Sequence, residues 1–120
     1  MKTIEVSNKG IRVNVSVFVY KDADYPDGDM YIAYCPELDL TGYDTTNRKA
    51  RKSFEYVLKD YLDFTLENNT LEADLLDHGW KIFKDGRIVE PTYSEMLKRS
   101  QLKSVLKQNQ FNKYSVPVKV

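Results

Sequence analysis

The sequence predicts an α+β fold. We expect a three- to four-stranded, mainly antiparallel sheet with helices packed on one face, followed by a C-terminal helical extension and a short strand. Apolar residues alternate with polar ones near the N-terminus, recur with helical spacing over 50–65, and form a β-branched run at the C-terminus. A chain of 120 residues can bury about 65% of its unfolded surface. We therefore predict an α+β domain over 1–84 and a basic helical extension over 85–120.

Three strands are predicted in the N-terminal part. Apolar residues occupy every second position of 11–20, which indicates a half-buried strand. The segment 21–29, KDADYPDGD, is rich in turn-forming Asp, Pro and Gly and should reverse the chain. Residues 30–34 then form the second strand. A short third strand over 38–43 follows Pro36, which lacks the N–H that a sheet ladder needs.

A long helix is predicted next. Thr45 or Thr46 can cap it, because a hydroxyl oxygen accepts a hydrogen bond from an unpaired amide of the first turn. Its apolar face should cover the sheet through residues at helical spacing: Ala50, Phe54, Val57, Leu58, Tyr61, Leu62 and Thr65. Lys52 and Tyr56 are expected to face solvent unless a partner covers them.

A second helix and a hairpin should follow. Thr70 can cap the helix, which runs through Asp77 and ends at Gly79. The Asp-Gly pair at 85–86 is a strong hairpin signal, with 80–83 as the fourth strand.

The C-terminal extension should contain one more helix and a strand. The helix is predicted over about 94–108, either continuous or broken in two near 99–101. The run 114–120 contains Pro117 and suits an edge strand, which could pair with the sheet of its own chain or of a neighbour.

Composition favours a cytoplasmic protein. The N-terminal residues lack the apolar region of a signal peptide, and no run approaches the roughly 20 apolar residues that span a bilayer. A single cysteine excludes an intramolecular disulfide and fits a reducing compartment. We expect no membrane partner.

Charge is divided along the chain, although the formal net charge is zero. Residues 1–80 carry 9 basic and 15 acidic side chains, whereas residues 81–120 carry 9 and 3. This asymmetry is typical of a protein with two different partners, or of one that pairs with another copy of itself. The alternative is ordinary solvated surface charge.

One segment resembles a known family. Residues 30–43, MYIAYCPELDLTGY, resemble the HicB-like antitoxins, in which a Tyr-rich strand runs into a Cys-Pro-Glu-Leu type segment and a Gly-containing turn. Gly42 and Ala50 also fit the family pattern. The acidic pair that usually precedes the Ala is replaced by Arg48 and Lys49, and the hairpin before the Gly is shortened. The resemblance covers about 11–84.

The resemblance implies a partial RNase H-like fold and an interaction role. Members of the family bind and occlude a small ribonuclease toxin, HicA, and those with a C-terminal DNA-binding segment repress their own operon. We therefore expect an antitoxin that binds a HicA-like toxin and could bind operator DNA, and that forms a homo-oligomer, a dimer or larger. The alternative is an orphan HicB-like interaction or oligomerisation domain without catalytic activity.

Two groups of residues are candidates for these contacts. The first group comprises the partner-binding candidates Tyr31, Glu37, Asp39 and Tyr43. Glu37 and Asp39 flank a predicted strand end, and Tyr31 and Tyr43 are favoured because Ile32 and Leu40 should take the buried face of the sheet. Basic side chains of the extension could neutralise phosphates, although a solvated helix face is an alternative; these candidates are Arg87, Lys98, Arg99, Lys103 and Lys107.

Catalysis is not expected. RNase H-type chemistry requires carboxylates that converge on two metal ions, whereas four of the aspartates cluster in one turn: Asp22, Asp24, Asp27 and Asp29. Cys35 would need a base, and the single imidazole, His78, lies far along the chain. One His and one Cys cannot build a zinc site. A metal-dependent nuclease is the weakest hypothesis, and we expect no cofactor and no metal.

Overall fold

The structure is a computed structural model that describes the backbone of residues 3–7, 10–85, 87–108 and 110–119 and the side chains of residues 14–85, 87–108 and 110–117. The elements follow in chain order: β1 (Thr3–Ser7), β2 (Gly10–Lys21), β3 (Tyr31–Cys35), β4 (Leu40–Asp44), α1 (Asn47–Glu67), α2 (Leu71–Asp77), β5 (Lys81–Ile82), β6 (Arg87–Val89), α3 (Tyr93–Met96), α4 (Ser100–Lys107) and β7 (Asn112–Lys119).

The predicted α+β class with an antiparallel sheet is confirmed. β2 is the central strand, and Phe18 pairs with Tyr34 of β3 on one edge and with Lys113 of β7 on the other. With β4 beside β3, this gives four antiparallel strands in the order β4-β3-β2-β7. β1 pairs with the start of β2 and continues the sheet to β6 and β5.

One face of the sheet carries the larger core. Alternate residues of β2 and β3, such as Val17 and Ala33, point to this face because successive strand side chains alternate. Phe54 and Leu58 of α1 and Leu75 of α2 pack against them. The helices that follow the sheet thus cover one face, as predicted.

The opposite face carries a second core. Phe18 and Tyr34 point to this side and are covered by Leu102 and Val105 of α4. Residues 85–120, which we predicted as an extension of the domain, thus contribute two strands of the same sheet and the helix that covers its second face.

The C-terminal run pairs with its own chain. The outer side of β7 has no strand partner among the described residues, so β7 is an edge strand. Pro117 pairs with Asn14, and the alternation of the ladder turns its nitrogen away from β2, where no donor is required.

Several element ends differ from the predictions. Thr46 caps α1 by accepting a hydrogen bond from the Lys49 amide at 3.1 Å. Thr70 makes no side-chain cap to α2, so that prediction was wrong. The C-terminal helix is broken into α3 and α4, and Arg99, with an extended backbone, precedes α4. β4 begins at Leu40 because Asp39 adopts a positive φ of 54° in the preceding turn.

In the part of the chain that the structure describes, no helix is both long enough and apolar enough to cross a membrane.

Candidate functional site

The segment 30–43, which resembles HicB-like antitoxins and is called the family-like segment below, supplies a side chain that fills a gap beside β2. β1 pairs with β2 through residues 10–12 and β3 pairs through 18–21, both on the edge opposite β7. Residues 13–17 have no strand partner on that edge among the described residues. The N–H of Ser16 instead donates to Glu37 Oε2 at 2.7 Å. The Glu37 carboxylate therefore occupies the place of a missing strand.

Glu37 is held firmly in the interior. Its side chain is 1% exposed, and its backbone carbonyl accepts a 2.8 Å hydrogen bond from the indole N–H of Trp80, which is itself buried. The prediction that Glu37 contacts a partner is therefore wrong for the folded chain, because a partner cannot reach its carboxylate. The residue has a structural role: it satisfies a backbone donor that burial would otherwise leave unpaired.

Cys35 lies beside this carboxylate. Its Sγ is 3.9 Å from Glu37 Oε1, and the side chain is fully buried. Burial raises the pKa of the Cys35 thiol well above its ordinary value, and the Glu37 carboxylate raises this pKa further. A thiol with a raised pKa is a poor nucleophile at neutral pH. His78, the other half of the pairing considered from sequence, is instead bonded through Nδ1 to the Asp74 carbonyl at 2.7 Å.

Asp39 lies on the surface at the same end of the sheet. Its Oδ1 accepts a 2.8 Å hydrogen bond from the hydroxyl of Tyr34, which is fully buried. Burial raises the pKa of Tyr34, and the bond to Asp39 raises it further, so the hydroxyl stays protonated. Asp39 remains exposed and accessible to a partner.

The two candidate tyrosines lie at the other end of the sheet. Tyr43 is 64% exposed, whereas Tyr31 is half-buried against the larger core. Tyr43 pairs with Ile32 of the second face, so the two tyrosines point to opposite faces. Tyr43 lies four positions after Asp39, so their Cα atoms are up to about 13 Å apart. The four partner-binding candidates therefore do not converge on one site.

The β2–β3 hairpin forms an acidic surface at the same end of the sheet as Tyr43. The hairpin begins after Lys21, which pairs with Tyr31, and Tyr31 in turn pairs with Asp44. The Lys21–Asp29 ion pair of 2.9 Å closes its base. We define the acidic end as Tyr43 together with the hairpin carboxylates Asp24, Asp27 and Asp29, all of which are exposed.

The acidic end does not form a metal site. Among the described residues, no group of three or more His, Cys, Asp or Glu side chains could hold an ion together. Sequence reasoning treated the hairpin as a solvated turn, and it missed that pairing of β3 with β4 would bring this turn to the same sheet end as Tyr43.

Three of the basic candidates face solvent on or near α4. Lys98 precedes this helix, and Lys103 and Lys107 lie one turn apart on its exposed side. Lys113 of β7 joins them on the second face, with its Nζ 5.7 Å from the ring centroid of Phe18. Sequence reasoning missed Lys113, because its position depends on the register between β7 and β2.

The two arginines differ from these lysines. Arg99 is half-buried, and its Nη2 donates to the backbone carbonyl of His78 at 2.9 Å. The expected contact of Arg99 with nucleic acid stays a prediction, but its guanidinium also has a structural role, because it satisfies a carbonyl at the end of α2. Arg87 is exposed but forms a 2.7 Å ion pair with Asp85 and lies 5.0 Å over the Phe83 ring.

Comparison of this chain with protein-family models, with curated proteins and with solved structures gives no match. The resemblance to HicB-like antitoxins, which covers about 11–84 and is best over 30–62, therefore stays a prediction from the sequence.

Proposed function

We propose that this protein is a HicB-like antitoxin that binds and blocks a small basic ribonuclease toxin of the HicA kind. The observation that carries the proposal is the acidic end. The exposed carboxylates of Asp24 and Asp27 attract a basic surface and speed its approach, whereas Asp29 is paired with Lys21. Tyr43, exposed at the same end of the sheet, can anchor a partner through a large rigid contact area.

The state of the family-like segment favours binding over catalysis. Its carboxylate at Glu37 is buried and bonded to the backbone of β2, and its thiol at Cys35 has a raised pKa. These groups stabilise the sheet that presents the acidic end. An inhibitory antitoxin needs such a rigid platform, because a preformed surface loses little conformational entropy on binding.

We further propose that the cytoplasmic antitoxin binds operator DNA through the second face. Lys98, Lys103, Lys107 and Lys113 are exposed there, and Lys103 and Lys107 follow each other along α4. Lysines arranged in this way neutralise successive phosphates and release counterions, so that binding weakens strongly with salt.

The toxin interaction is tested with the short basic product of a neighbouring gene. The purified pair should co-elute, and the complex should suppress RNA cleavage by that product. Asp27→Asn combined with Tyr43→Ala should weaken the complex by at least about tenfold, from the loss of one charge and one aromatic anchor. Asp77→Asn, which removes an exposed charge from α2, should leave affinity unchanged. Undiminished RNA cleavage in the presence of excess protein would refute the proposed role.

The DNA interaction is tested by titrating the upstream region of the gene at several salt concentrations. Lys103→Ala with Lys107→Ala should reduce the slope of log affinity against log salt by about 2, since each lost phosphate contact changes the slope by about 1. Lys49→Ala removes an exposed charge from α1 and should not change the slope. Equal slopes for all three proteins would exclude α4 from DNA contact.

A further inference from the structure

The solvent-facing side of α1 carries one straight stripe of exposed residues. They follow one another at intervals of four, four, three, four and four, so that they lie on one side of the helix, opposite the core residues Phe54 and Leu58. We call this set the α1 stripe; its members are Arg48, Lys52, Tyr56, Lys59, Asp63 and Glu67.

The order of charges along the α1 stripe opposes the helix dipole. Cations lie in its N-terminal part and carboxylates in its C-terminal part, and α1 has no acidic residue in its first turn and no basic residue in its last. Each such placement disfavours the isolated helix. Within the described residues, Lys59 and Asp63 form a 2.8 Å ion pair, but Lys52 and Glu67 have no ion-pair partner.

The stripe is complementary to itself in the reverse direction. Its spacing is symmetric about the midpoint between residues 57 and 58. If a second α1 lies antiparallel with a twofold axis at that point, Arg48 faces Glu67 of the other copy and Lys52 faces Asp63. At the centre, Tyr56, which is 64% exposed, faces Lys59, a pairing of cation and aromatic ring.

We propose that α1 is the self-association surface of this protein, and that two copies pair through antiparallel α1 stripes about a twofold axis. Twofold symmetry makes each contact twice, giving four ion pairs and two cation–aromatic contacts. The arrangement also sets the positive end of each helix dipole beside the negative end of its neighbour. This inference goes beyond the proposed function and uses a different surface from the acidic end and from α4.

A second copy fits the whole stripe better than a partner of one charge. A polyanion would be attracted by Arg48 and Lys52 but would also meet the carboxylates of Asp63 and Glu67 about three to five turns further along the helix. A basic protein would be attracted by Asp63 and Glu67 but repelled by Arg48 and Lys52. An antiparallel copy satisfies both halves at once.

The test is sedimentation of the full-length protein over a range of concentrations at about 50 mM and about 500 mM salt. The native chain should associate at low salt and dissociate at high salt, since exposed ion pairs are screened. Lys52→Glu alone and Asp63→Lys alone should each weaken association by about tenfold or more, because symmetry turns two attractive contacts into two repulsive ones. Unchanged circular dichroism shows that both variants are folded.

Mixing the two variants gives the decisive measurement. In a heterodimer, Glu at 52 of one copy faces Lys at 63 of the other, while the native Asp63 and Lys52 still face each other. The mixture should therefore associate although neither variant does so alone. A control pair, Lys84→Glu with Glu72→Lys, carries the same charge changes outside the stripe and should associate like the native chain in each case. A native chain that stays monomeric at low salt, or a Lys52→Glu and Asp63→Lys mixture that fails to associate, would overturn the proposal.

Discussion

Replacing Gly42 by alanine should separate α1 from the sheet. A Cβ atom at Gly42 would lie 2.4 Å from the backbone N of Phe54, 2.6 Å from its Cα and 2.9 Å from the backbone carbon of Ser53. These are main-chain atoms within α1, so no side-chain rotation relieves the overlap. Ordinary contact begins at about 3.4 Å, and the helix must therefore move outward by about 1 Å.

The cost follows from what this movement loosens. Phe54 and Leu58 of α1 fill the larger core, and a radial gap of 0.5–1 Å already loses about a quarter to a half of each dispersion contact. Overpacking substitutions cost about 1–3 kcal/mol, and the rigidity of a backbone obstacle places Gly42→Ala at the upper end. We expect a loss of about 3 kcal/mol in the free energy of unfolding, or a Tm lowered by about 12 °C.

Urea and thermal unfolding followed by circular dichroism measure this loss. Tyr43→Thr is the matched control: it changes the next residue of the same strand and replaces one residue favoured in strands by another. It should change the free energy of unfolding by less than about 1 kcal/mol because Tyr43 is exposed. A Gly42→Ala protein within about 1 kcal/mol of the native chain would show that α1 does not lie so close to β4.

Three further predictions concern buried polar groups. Glu37→Ala should cost about 3 kcal/mol by leaving the Ser16 amide without its acceptor and opening a cavity, whereas Glu55→Ala on the surface should cost less than about 0.5 kcal/mol in the same urea titration. Folding raises the pKa of the Cys35 thiol, so the unfolded chain loses this proton first as pH rises; the thiol's contribution to stability is complete below about pH 8.5 and declines above it by up to about 1.4 kcal/mol per pH unit. The free energy of unfolding of Cys35→Ala should therefore fall less steeply than that of the native chain between about pH 8.5 and about pH 9.5. Parallel curves for the two proteins would contradict this. Arg99→Ala should lower Tm because it removes the donor to the His78 carbonyl, and a reduced salt slope of DNA binding would show that Arg99 also contacts phosphates.

The sequence predicted those elements whose signal is local. Alternation over 11–20 and helical spacing over 50–65 predicted β2 and α1, because side-chain period follows directly from backbone geometry. Local patterns do not give strand partners. The sequence therefore predicted an edge strand at the C-terminus and left open whether it pairs within the chain, where the structure pairs it with β2.

The candidate site shows the same division. The resemblance to the HicB-like family drew attention to residues 34–38, and the structure shows that they form the end of β3 and the start of a buried turn. The exposure of Glu37 could not be predicted, because its burial results from the gap that β1 and β3 leave along β2. Arg99 likewise turned inward because the break before α4 brings its guanidinium to the end of α2.

The fold class, the order of most elements and the division between acidic and basic parts could all be predicted from the sequence. Three features became visible only in the folded chain: which charged side chains are buried, which two faces of the sheet the helices cover, and that the acidic hairpin lies at the same sheet end as Tyr43. The physical reason is range: periodicity and charge order are properties of neighbouring residues, whereas burial and proximity depend on contacts between residues far apart in the chain.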